Sequence, residues 1–560
     1  MLHVSGLSKR FGENLLFEKA HFVINAGERV GLVGPNGCGK TTLLRILMGE
    51  EKPDAGAVRW AIPHERVGYL PQALQWAPGA RVRDVLSGST HLDEAHWARE
   101  VERLALEMAK APASARQALE EAYAMALDRL GFAATFASEH LLERVLAGLG
   151  LADVAPETPV AILSGGQKTR LSLAKLLLSE PAFLILDEPT NHLDIGALEW
   201  LEGYLASYDG GMLLVSHDRA FLDHVVTRIL EMDPQTHAVR EYAGNYSAYA
   251  QAREREREKA WEAYQDQQER LARLEEAARR LKAQASGIEQ ETIHYHYRKV
   301  AKKLARKAVV QQKRLQRLIE SEEHLEKPVQ GWHLAIAFDQ VPPSGQDVLI
   351  VEGLAKRFGE RTLFEGVHLT LRQGERIVLI GPNGCGKTTL LRILMGLEPP
   401  SEGLVRWGAN ARVGYLAQDQ ASLVQGDTPL EVVRQVAAMT ETEARTFLHR
   451  LLFSGDEVFT PIARLSFGER ARLNVGLLML RGCNVLLLDE PINYLDIPSR
   501  ERFECALASF EGTVLAVVHD RYFIQRFGCA VWAFAHGTVR RFADLADARR
   551  GGAMIGTDEG

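Results

Sequence analysis

The chain has 560 residues, and at about 150 residues per domain this length predicts three or four domains. Its 66 Lys and Arg against 73 Asp and Glu give a net charge of −7, which disfavours a protein that coats nucleic acid with its whole surface but allows a local basic patch. No run of about 18 apolar residues is present, so no membrane span is predicted. The five cysteines lack CxxC spacing, which fits a reducing cytoplasm better than a disulfide framework.

The chain begins with a predicted strand, residues 1–11, and an internal repeat follows. GERVGLVGPNGCGKTTLLRILMG at 27–49 returns almost unchanged at 374–396, which lies 347 residues further along. LSGGQ at 163–167 returns as LSFGE at 465–469, only 302 residues further along. The first copy therefore carries about 45 additional residues, and the sequence predicts two homologous domains with separate insertions.

Each copy contains a phosphate loop, GPNGCGKTT, between an apolar strand and an apolar helix. Its glycines allow backbone N–H groups to approach phosphates, Lys40 and Lys387 neutralise charge at the β- and γ-phosphates, and Thr41 and Thr388 can place a hydroxyl on Mg²⁺. Glycine-rich structural turns are the alternative, but two copies in register disfavour it. The predicted nucleotide-binding residues are Gly34, Pro35, Asn36, Gly37, Cys38, Gly39, Lys40, Thr41 and Thr42, and Gly381, Pro382, Asn383, Gly384, Cys385, Gly386, Lys387, Thr388 and Thr389.

Two further residue pairs recur near the phosphate loops. Gln72 and Gln418 each end a short VGYL strand, from which the amide can reach the metal and the attacking water. Phe11 and Phe358 are candidates to stack on adenine, and a position in the hydrophobic core is the alternative.

The extra segment of the first copy, about residues 91–129, is rich in Ala, Leu and Glu and is broken at Pro112, which predicts two short helices. It contains eight acidic and five basic residues. This arm therefore suits a basic protein surface better than RNA, with a surface hairpin of no function as the alternative.

Paired acids end an apolar strand in each copy, FLILDEP and VLLLDEP. Asp187 and Asp489 are predicted to hold Mg²⁺, directly or through water, while Glu188 and Glu490 are predicted to orient or activate the attacking water. An exposed acidic strand end is the alternative, but its recurrence downstream of a phosphate loop disfavours it.

Two more motifs complete the series. A helix that begins with Ser and small residues, as at LSGGQ, can donate backbone N–H groups to a γ-phosphate. His217 in SHDR and His519 in VHDR follow apolar strands, and in this ordered series they are predicted to contact the γ-phosphate rather than to fill the core.

The segment between the copies, 246–327, is rich in helix-forming residues and is interrupted near Ser286 and Gly287, which predicts two long antiparallel helices. From Arg279 to Arg317 it has twelve Lys or Arg and two Glu. This charge predicts a nucleic-acid contact, with a solvated coiled coil as the alternative. The candidate RNA-binding residues are Tyr295, Tyr297, Arg298, Lys299, Lys302, Lys303, Arg306, Lys307, Lys313, Arg314 and Arg317.

The order phosphate loop, Gln, LSGGQ, LDEP, His, present twice, resembles the ATP-binding cassette superfamily. Two cassettes without a membrane span, a helical insert and a charged hairpin between the cassettes resemble its ABC-F family over residues 1–545. The resemblance implies an α/β fold class: two ATP-binding cassettes of the P-loop NTPase type, joined by a long α-helical hairpin linker, with a small helical arm inserted in the first cassette. The implied domains are 1–245 with the arm at about 91–129, the linker at 246–327, the second cassette at 346–545 and a disordered tail at 546–560.

The resemblance also implies function. Members of this family are cytoplasmic ATPases of translation that use ATP and Mg²⁺, bind the ribosome with its rRNA, tRNA and ribosomal proteins, and include antibiotic-resistance proteins. In them the linker reaches toward tRNA and the peptidyl-transferase centre, and the arm touches the stalk side of the ribosome.

A head-to-tail sandwich of the two cassettes within one monomer is implied as well. Each ATP would lie between the phosphate loop of one cassette and the LSGGQ-type motif of the other. Closure would depend on ATP, because ADP lacks the γ-phosphate. The implied motif residues are Ser164, Gly165, Gly166 and Gln167 for the second loop, and Ser466, Gly468 and Glu469 for the first.

The second cassette departs from the family pattern at three positions. The bulky side chain of Phe467 is expected to crowd the phosphate contact at the site of the first loop. We therefore hypothesise unequal hydrolysis rates at the two sites. The replacements are Phe467 for Gly165, Ile492 for Thr190 and Tyr494 for His192.

Two other functions stay open from the sequence. An ATPase subunit of a membrane transporter would need a membrane partner, and the charged hairpin has no evident role there. A DNA-associated ATPase is the other, although no long basic extension follows the second cassette. Within the ribosomal interpretation, the moderate linker turn favours a translation factor over a resistance protein.

Overall fold

A computed structural model gives the fold as two compact units, Met1–Tyr246 with His333–Gly560, and Ser247–Trp332. Among the helices that the structure describes, none is long and apolar enough to cross a membrane. The described residues are 1–12, 14–72, 76–77, 79–87, 94–110, 119–120, 122–127, 139–291, 295–319, 325, 345–417, 428–451, 453, 455–493, 495–508 and 510–552.

Nine strands lie in the described part of the first repeat, and the predicted strand at residues 1–11 is the first of them. The strands are β1 (Leu2–Phe11), β2 (Asn14–Ile24), β3 (Arg29–Val33), β4 (Ala55–Trp60), β5 (Val67–Leu70), β6 (Phe183–Asp187), β7 (Gly211–Val215), β8 (Arg228–Met232) and β9 (Val239–Ala243). A six-stranded sheet has the order β5-β6-β7-β3-β8-β9, parallel except for the β8/β9 edge pair. A three-stranded antiparallel sheet has the order β2-β1-β4.

The second repeat has the same two sheets, with strand orders β14-β15-β16-β12-β17-β18 and β11-β10-β13. Its strands are β10 (Asp347–Phe358), β11 (Arg361–Arg372), β12 (Arg376–Ile380), β13 (Glu402–Trp407), β14 (Val413–Leu416), β15 (Val485–Asp489), β16 (Thr513–Val517), β17 (Ala530–Ala535) and β18 (Thr538–Phe542). β6 and β15, which end in the paired acids, are buried along their whole length. Continuous apolar runs such as these are typical of parallel strands that are covered on both faces.

The phosphate-loop helices Lys40–Leu47 and Lys387–Leu394 follow the parallel strands β3 and β12, so their first turns lie near the carboxyl ends of those strands. The helices of the first repeat are Lys40–Leu47, Val82–Ser87, Glu94–Lys110, Glu139–Gly148, Gly165–Leu178, Ile195–Ala206 and Arg219–Val225. Those of the second are Lys387–Leu394, Pro429–Val436, Glu441–Arg450, Phe467–Leu480, Ile497–Ala508, Arg521–Phe527 and Leu545–Arg550. Short 3₁₀ turns lie at His64–Arg66, Val160–Ile162, Gly455–Phe459 and Ile462–Arg464.

Each repeat has a core between its phosphate-loop helix and its sheets. Leu43 and Leu44 in the first repeat, and Leu390 and Leu391 in the second, are fully buried there. In the arm, Trp97, Leu104 and Ala126 form a small separate cluster. The predicted break at Pro112 lies outside the described residues. The predicted disordered tail at 546–560 is wrong at its start, because Leu545–Arg550 forms a helix, and residues 553–560 lie outside the described residues.

The linker unit contains the two predicted helices, Tyr246–Glu291 and Tyr295–Ile319. The predicted interruption near Ser286 and Gly287 is wrong, because the first helix continues to Glu291. A single Gly inside a helix costs about 1 kcal/mol, which neighbouring helix-forming residues offset. The backbone N–H of Leu325 donates to Oε1 of Gln267 at 2.9 Å, so the chain returns along the first helix.

Candidate nucleotide sites

The first phosphate loop wraps around the amino group of its own lysine. Gly39 adopts a φ of 102° immediately before the helix, a conformation that glycine adopts at little cost. Nζ of Lys40 donates to the carbonyl oxygens of Gly34 at 2.7 Å and Pro35 at 3.0 Å. The loop therefore combines the positive charge of Lys40 with backbone N–H groups at a helix N-terminus. This combination is suited to bind a phosphate.

Oxygen donors converge beside this loop. Oγ1 of Thr41 donates to Oδ2 of Asp187 at 2.9 Å, and Gln72 lines the same cavity. Burial raises the pKa of the Asp187 carboxyl, while the Thr41 hydroxyl and Lys40 oppose that rise. A buried carboxylate, a hydroxyl and an amide oxygen are the ligand types that Mg²⁺ takes, so these residues fit that ion.

Glu188 is held in a strained and buried position. Its φ is 54°, and its backbone N–H donates to the carbonyl of Val215 at 2.9 Å. Burial raises the pKa of Glu188 to about 7, while the positive charges of Lys40 and Arg500 lower it. A carboxyl with a pKa near neutrality suits a general base.

His217 lies next to this carboxylate, with Nε2 at 3.3 Å from Oε1 of Glu188. Burial, followed by the charges of Lys40 and Arg500, lowers the pKa of His217 well below its usual value. The imidazole is therefore neutral at physiological pH, and one ring nitrogen is a donor and the other an acceptor.

A cavity of about 510 Å³ joins these groups. It contains eleven of the residues predicted for the first site, together with Arg500 from the second cassette, but not Gly34, Pro35 or Cys38 of the phosphate loop. Ser466 and Gly468, which the resemblance assigns to this site, are described residues but are not part of its lining. The lining consists of Phe11, Leu16, Asn36, Gly37, Gly39, Lys40, Thr41, Thr42, Gln72, Asp187, Glu188, Asn191, His217 and Arg500.

The second phosphate loop repeats the lysine geometry. Nζ of Lys387 donates to Gly381 O and Pro382 O, both at 2.9 Å. The Tyr415 hydroxyl donates to Oδ2 of Asp489 at 3.4 Å. Gln418, predicted for this site, lies outside the described residues.

Glu490 differs from Glu188 in its contacts. Its Oε2 accepts from Nδ2 of Asn493 at 2.7 Å, and its Oε1 lies 3.8 Å from Nε2 of His519. Burial and the negative charge of Asp489 raise the pKa of Glu490, while Lys387 and the Asn493 hydrogen bond oppose that rise. Burial and Lys387 lower the pKa of His519 well below its usual value.

A cavity of about 330 Å³ is lined by residues of the LSGGQ motif of the first cassette and of the second phosphate loop. Ser164 and Gly166 line it together with Asn383, Glu490 and His519. This is one of the two pairings that the resemblance implies.

Gln167 and Glu469 were predicted as nucleotide ligands, and the structure uses both to begin helices. Ser164 accepts from the backbone N–H of Gln167, and the Gln167 side chain accepts from the backbone N–H of Ser164. Ser466 and Glu469 form the same capping box. The change from Gln to Glu between the repeats is therefore neutral for capping, because both side chains offer the acceptor oxygen.

Two aspartates that we did not predict tie each phosphate loop to the opposite cassette. Oδ2 of Asp496 accepts from the backbone N–H of Asn36 at 2.8 Å, and Oδ2 of Asp194 accepts from that of Asn383 at 3.0 Å. Nδ2 of Asn383 also donates to the carbonyl of His192 at 2.8 Å. The recurrence of LD at 193–194 and 495–496 was the available sequence indication.

Two buried ion pairs that no sequence motif indicated also cross between the cassettes. Arg219 pairs with Glu504, and Arg521 pairs with Glu202, at positions related by the same repeat spacing of 302 residues. All four residues are buried. They and the two aspartates give the contact between the repeats an approximate twofold symmetry.

Phe11 and Phe358 lie at the surface, with 53% and 52% of their area exposed, so the core alternative is wrong. Nζ of Lys9 lies 5.0 Å from the centroid of the Phe11 ring, and Nζ of Lys356 lies 4.7 Å from that of Phe358. Phe11 also lines the first cavity.

The departure at Ile492 has a packing explanation. In the first cassette, Oγ1 of Thr190 and Oγ of Ser216 lie 3.0 Å apart in a hydrogen bond. In the second cassette, Ile492 and Val518 occupy these positions and belong to the hydrophobic core. An apolar pair thus replaces a polar pair. The Phe467 side chain and Tyr494 lie outside the described residues.

The candidate RNA-binding residues lie on the second linker helix. The side chains of Tyr295, Tyr297, Arg298 and Lys299 lie outside the described residues, although their backbone is helical. The other candidates are exposed: Lys302, Lys303, Arg306, Lys307, Lys313, Arg314 and Arg317.

Comparison with known proteins places these features in context. A family model described as ABC transporter matches residues 17–191 and 364–493, and a second one with that description matches residues 233–333. ABC transporter F family member 2 of Arabidopsis thaliana is 36% identical over 531 residues, which cover 94% of this chain and 75% of that protein. The ATP-binding protein YdiF of Bacillus subtilis is 37% identical over 546 residues, which cover 97% and 81%.

Solved structures show the same fold. An archaeal ribosome recycling factor, aABCE1, in complex with the ribosomal stalk protein aP1, has a TM-score of 0.62 at 20% identity, covering 98% of this chain and 92% of that chain. A protein solved as RNase-L Inhibitor has a TM-score of 0.57 at 20% identity, covering 99% and 93%. At this identity the likeness concerns the fold.

Proposed function

Since this chain belongs to the ABC transporter F family, we propose that it is a cytoplasmic ATPase that acts on the ribosome. ATP would close its two cassettes, and closure would move the linker hairpin toward tRNA and the peptidyl-transferase centre to regulate translation or relieve a block. The names of two structural neighbours, which include a ribosomal stalk protein and a ribosome-bound complex, support this direction.

Two composite ATP sites are part of the proposal. The cavity that contains Ser164, Asn383 and Glu490 combines groups from both cassettes, and so does the cavity that contains Lys40 and Arg500. A triphosphate bound there would contact both cassettes, and its γ-phosphate would be attracted by helix N-termini on each side. Adenine would stack on Phe11 and Phe358.

Hydrolysis would use the buried acids. Glu188 and Glu490 would take a proton from the attacking water, and the neutral His217 and His519 would donate a hydrogen bond to the γ-phosphate. Thr41, Thr388, Asp187, Asp489, Gln72 and Gln418 would hold Mg²⁺. When bound, the ion would neutralise charge that develops on the β- and γ-phosphates.

The exposed cations of the second linker helix carry the ribosomal part of the proposal. Seven described Lys or Arg side chains between Lys302 and Arg317 are exposed. Ribosomal RNA offers phosphates at high density, and contacts of this type weaken as salt rises. The same helix on a membrane transporter would have no evident ligand.

The test is co-sedimentation of the Glu188→Gln/Glu490→Gln variant with ribosomes. This variant should bind ATP without hydrolysing it, so it should remain closed and pellet with ribosomes in ATP but not in ADP. Reversal of Lys302, Lys303, Arg306 and Lys307 to Glu in this background should abolish pelleting and leave ATP binding intact.

A matched control reverses four basic residues of the first linker helix, Arg253, Arg257, Arg273 and Arg279. These arginines pair with glutamates of their own helix, so we expect a smaller loss. Pelleting that persists after the first reversal would contradict the RNA contact. Retention by membranes, or a bound complex that resists RNase but not DNase, would favour the transporter or the DNA-associated alternative.

A further inference from the structure

Arg500 belongs to the second cassette but reaches the first nucleotide site. It lies in helix Ile497–Ala508 and is 7% exposed. Nε donates to Leu495 O at 3.0 Å, and Nη1 donates to Oδ2 of Asp520 at 3.0 Å. Within the described part of the chain, Nη2 donates to no protein acceptor. One donor of a buried guanidinium is thus available to a ligand.

The surroundings of Arg500 indicate an anionic ligand. It lines the first cavity together with Gly37, Gly39 and Lys40 of the phosphate loop and with His217. Its positive charge acts on both Glu188 and His217. A planar guanidinium beside a phosphate loop is suited to contact a phosphate through a charge-assisted hydrogen bond.

Among the described residues, the second site has no cation at the position equivalent to Arg500. Arg170 of the first cassette does line the second cavity, but its Nη1 donates to the carbonyl oxygens of Leu149 at 2.9 Å and Gly150 at 3.1 Å. The residue of the first cassette at the matching position, 302 residues earlier, is Leu198, which lines the second cavity. Arg500 also lines that cavity, where Asp520 binds its Nη1. Among the described groups, Arg500 acts on the acid and the imidazole of the first site, but Lys387 is the cation that acts on Glu490 and on His519.

We propose that Arg500 is a phosphate-binding residue that the second cassette supplies in trans to the γ-phosphate of the nucleotide on the first phosphate loop. This inference rests on the proposed ATPase function. It makes the two sites chemically unequal, because a leucine faces the second site from the first cassette. An arginine contact of this kind also makes the first site sense whether the cassettes are closed.

The test separates the two sites with glutamine variants. Arg500→Leu copies the residue of the first repeat, and Arg500→Lys keeps the positive charge. In the Glu490→Gln background, which leaves hydrolysis to the first site, Arg500→Leu should lower kcat/KM for ATP about tenfold to hundredfold, as expected for one charged hydrogen bond. Arg500→Lys should recover part of this loss, and in the Glu188→Gln background the loss should be several times smaller.

A second measurement distinguishes a phosphate contact from a structural role through Asp520. In the Glu188→Gln/Glu490→Gln background, Arg500→Leu should weaken ATP binding at the first site but leave ADP binding nearly unchanged. Arg502→Leu, on the same helix but outside both cavities, is the matched control and should change neither.

Equal losses of ATP and ADP binding, or equal losses of turnover in the two backgrounds, would overturn the role of Arg500 and leave the proposed function intact. Absence of ATP hydrolysis by the unmodified chain would instead overturn the proposed function, and the role of Arg500 with it.

Discussion

The backbone N–H of Asn36 in the first phosphate loop donates to Oδ2 of Asp496 in the second cassette at 2.8 Å. The other oxygen of the same carboxylate accepts from the backbone N–H of Ser499 at 2.9 Å and so caps helix Ile497–Ala508. One aspartate therefore fixes a helix of its own cassette and the loop of the other. Asp194 does the same for Ala197 and Asn383.

This double role predicts that Asp496→Ala and Asp194→Ala each lower stability and raise KM for ATP. Loss of the cap alone costs about 1 kcal/mol, and loss of the contact to Asn36 or Asn383 also frees a phosphate loop. Thermal unfolding and steady-state ATP hydrolysis would measure the two effects. Asp544→Ala removes a helix cap in which the carboxylate accepts from the backbone N–H of Asp547, so it should lower the Tm without changing KM. A KM that rises equally in Asp544→Ala would argue against the contact.

The buried ion pair of Arg521 and Glu202 predicts an unequal response to single and double replacement. Arg521→Met leaves the carboxylate of Glu202 buried without its partner, which costs about 3 to 5 kcal/mol. Arg521→Met with Glu202→Met removes both charges and should restore most of the stability, because well-packed apolar residues replace buried pairs with little loss. Urea unfolding of the three proteins would measure this. A double variant as unstable as the single one would contradict the account.

The two sites are expected to hydrolyse ATP at different rates. The Glu188 carboxylate lies 3.3 Å from its histidine, whereas the Glu490 carboxylate lies 3.8 Å from its own and accepts a hydrogen bond from Asn493. Single Glu188→Gln and Glu490→Gln variants should therefore retain different turnover. Asn493→Ala would remove the extra hydrogen bond and should change turnover only where Glu490 is intact. Indistinguishable turnover in the two glutamine variants would remove the hypothesis of unequal sites.

Residues within one strand–loop–helix segment could be predicted from the sequence, because their geometry is local. The lysine over each phosphate loop and the acids at the ends of β6 and β15 are of this kind. The ion pairs between the repeats could not be predicted residue by residue. The pair Arg219 and Glu504 is separated by 285 positions and is decided by how the two repeats pack.

The end of the first linker helix shows a different limit. Ser286 and Gly287 have low helix propensity, which predicted a turn, yet the helix continues to Glu291. Propensity differences of about 1 kcal/mol per residue are too small to end a long helix by themselves. Arg500 could have been found from the sequence by asking where the repeats differ in charge, since Leu198 occupies the matching position.

The raised pKa of Glu188 predicts a pH-dependent penalty on folding in the absence of Mg²⁺ and nucleotide. Burial raises this pKa from 4.5 to about 7, so the folded state favours the neutral carboxyl. The contribution of Glu188 to the free energy of unfolding is therefore fully present below pH 4.5, where the carboxyl is neutral in both states. It is lost as the pH rises through 7. Glu188→Gln is always neutral and avoids the loss.

Its stabilisation relative to the unmodified chain should therefore grow from about pH 5 to pH 7 and reach about 3 kcal/mol at pH 8. Thermal unfolding across this range, with EDTA present, would measure it. Glu360→Gln, which replaces an exposed carboxyl, is the matched control. A pH-independent difference for Glu188→Gln would show that Glu188 is ionised throughout. In that case the base would already be charged before ATP and Mg²⁺ bind.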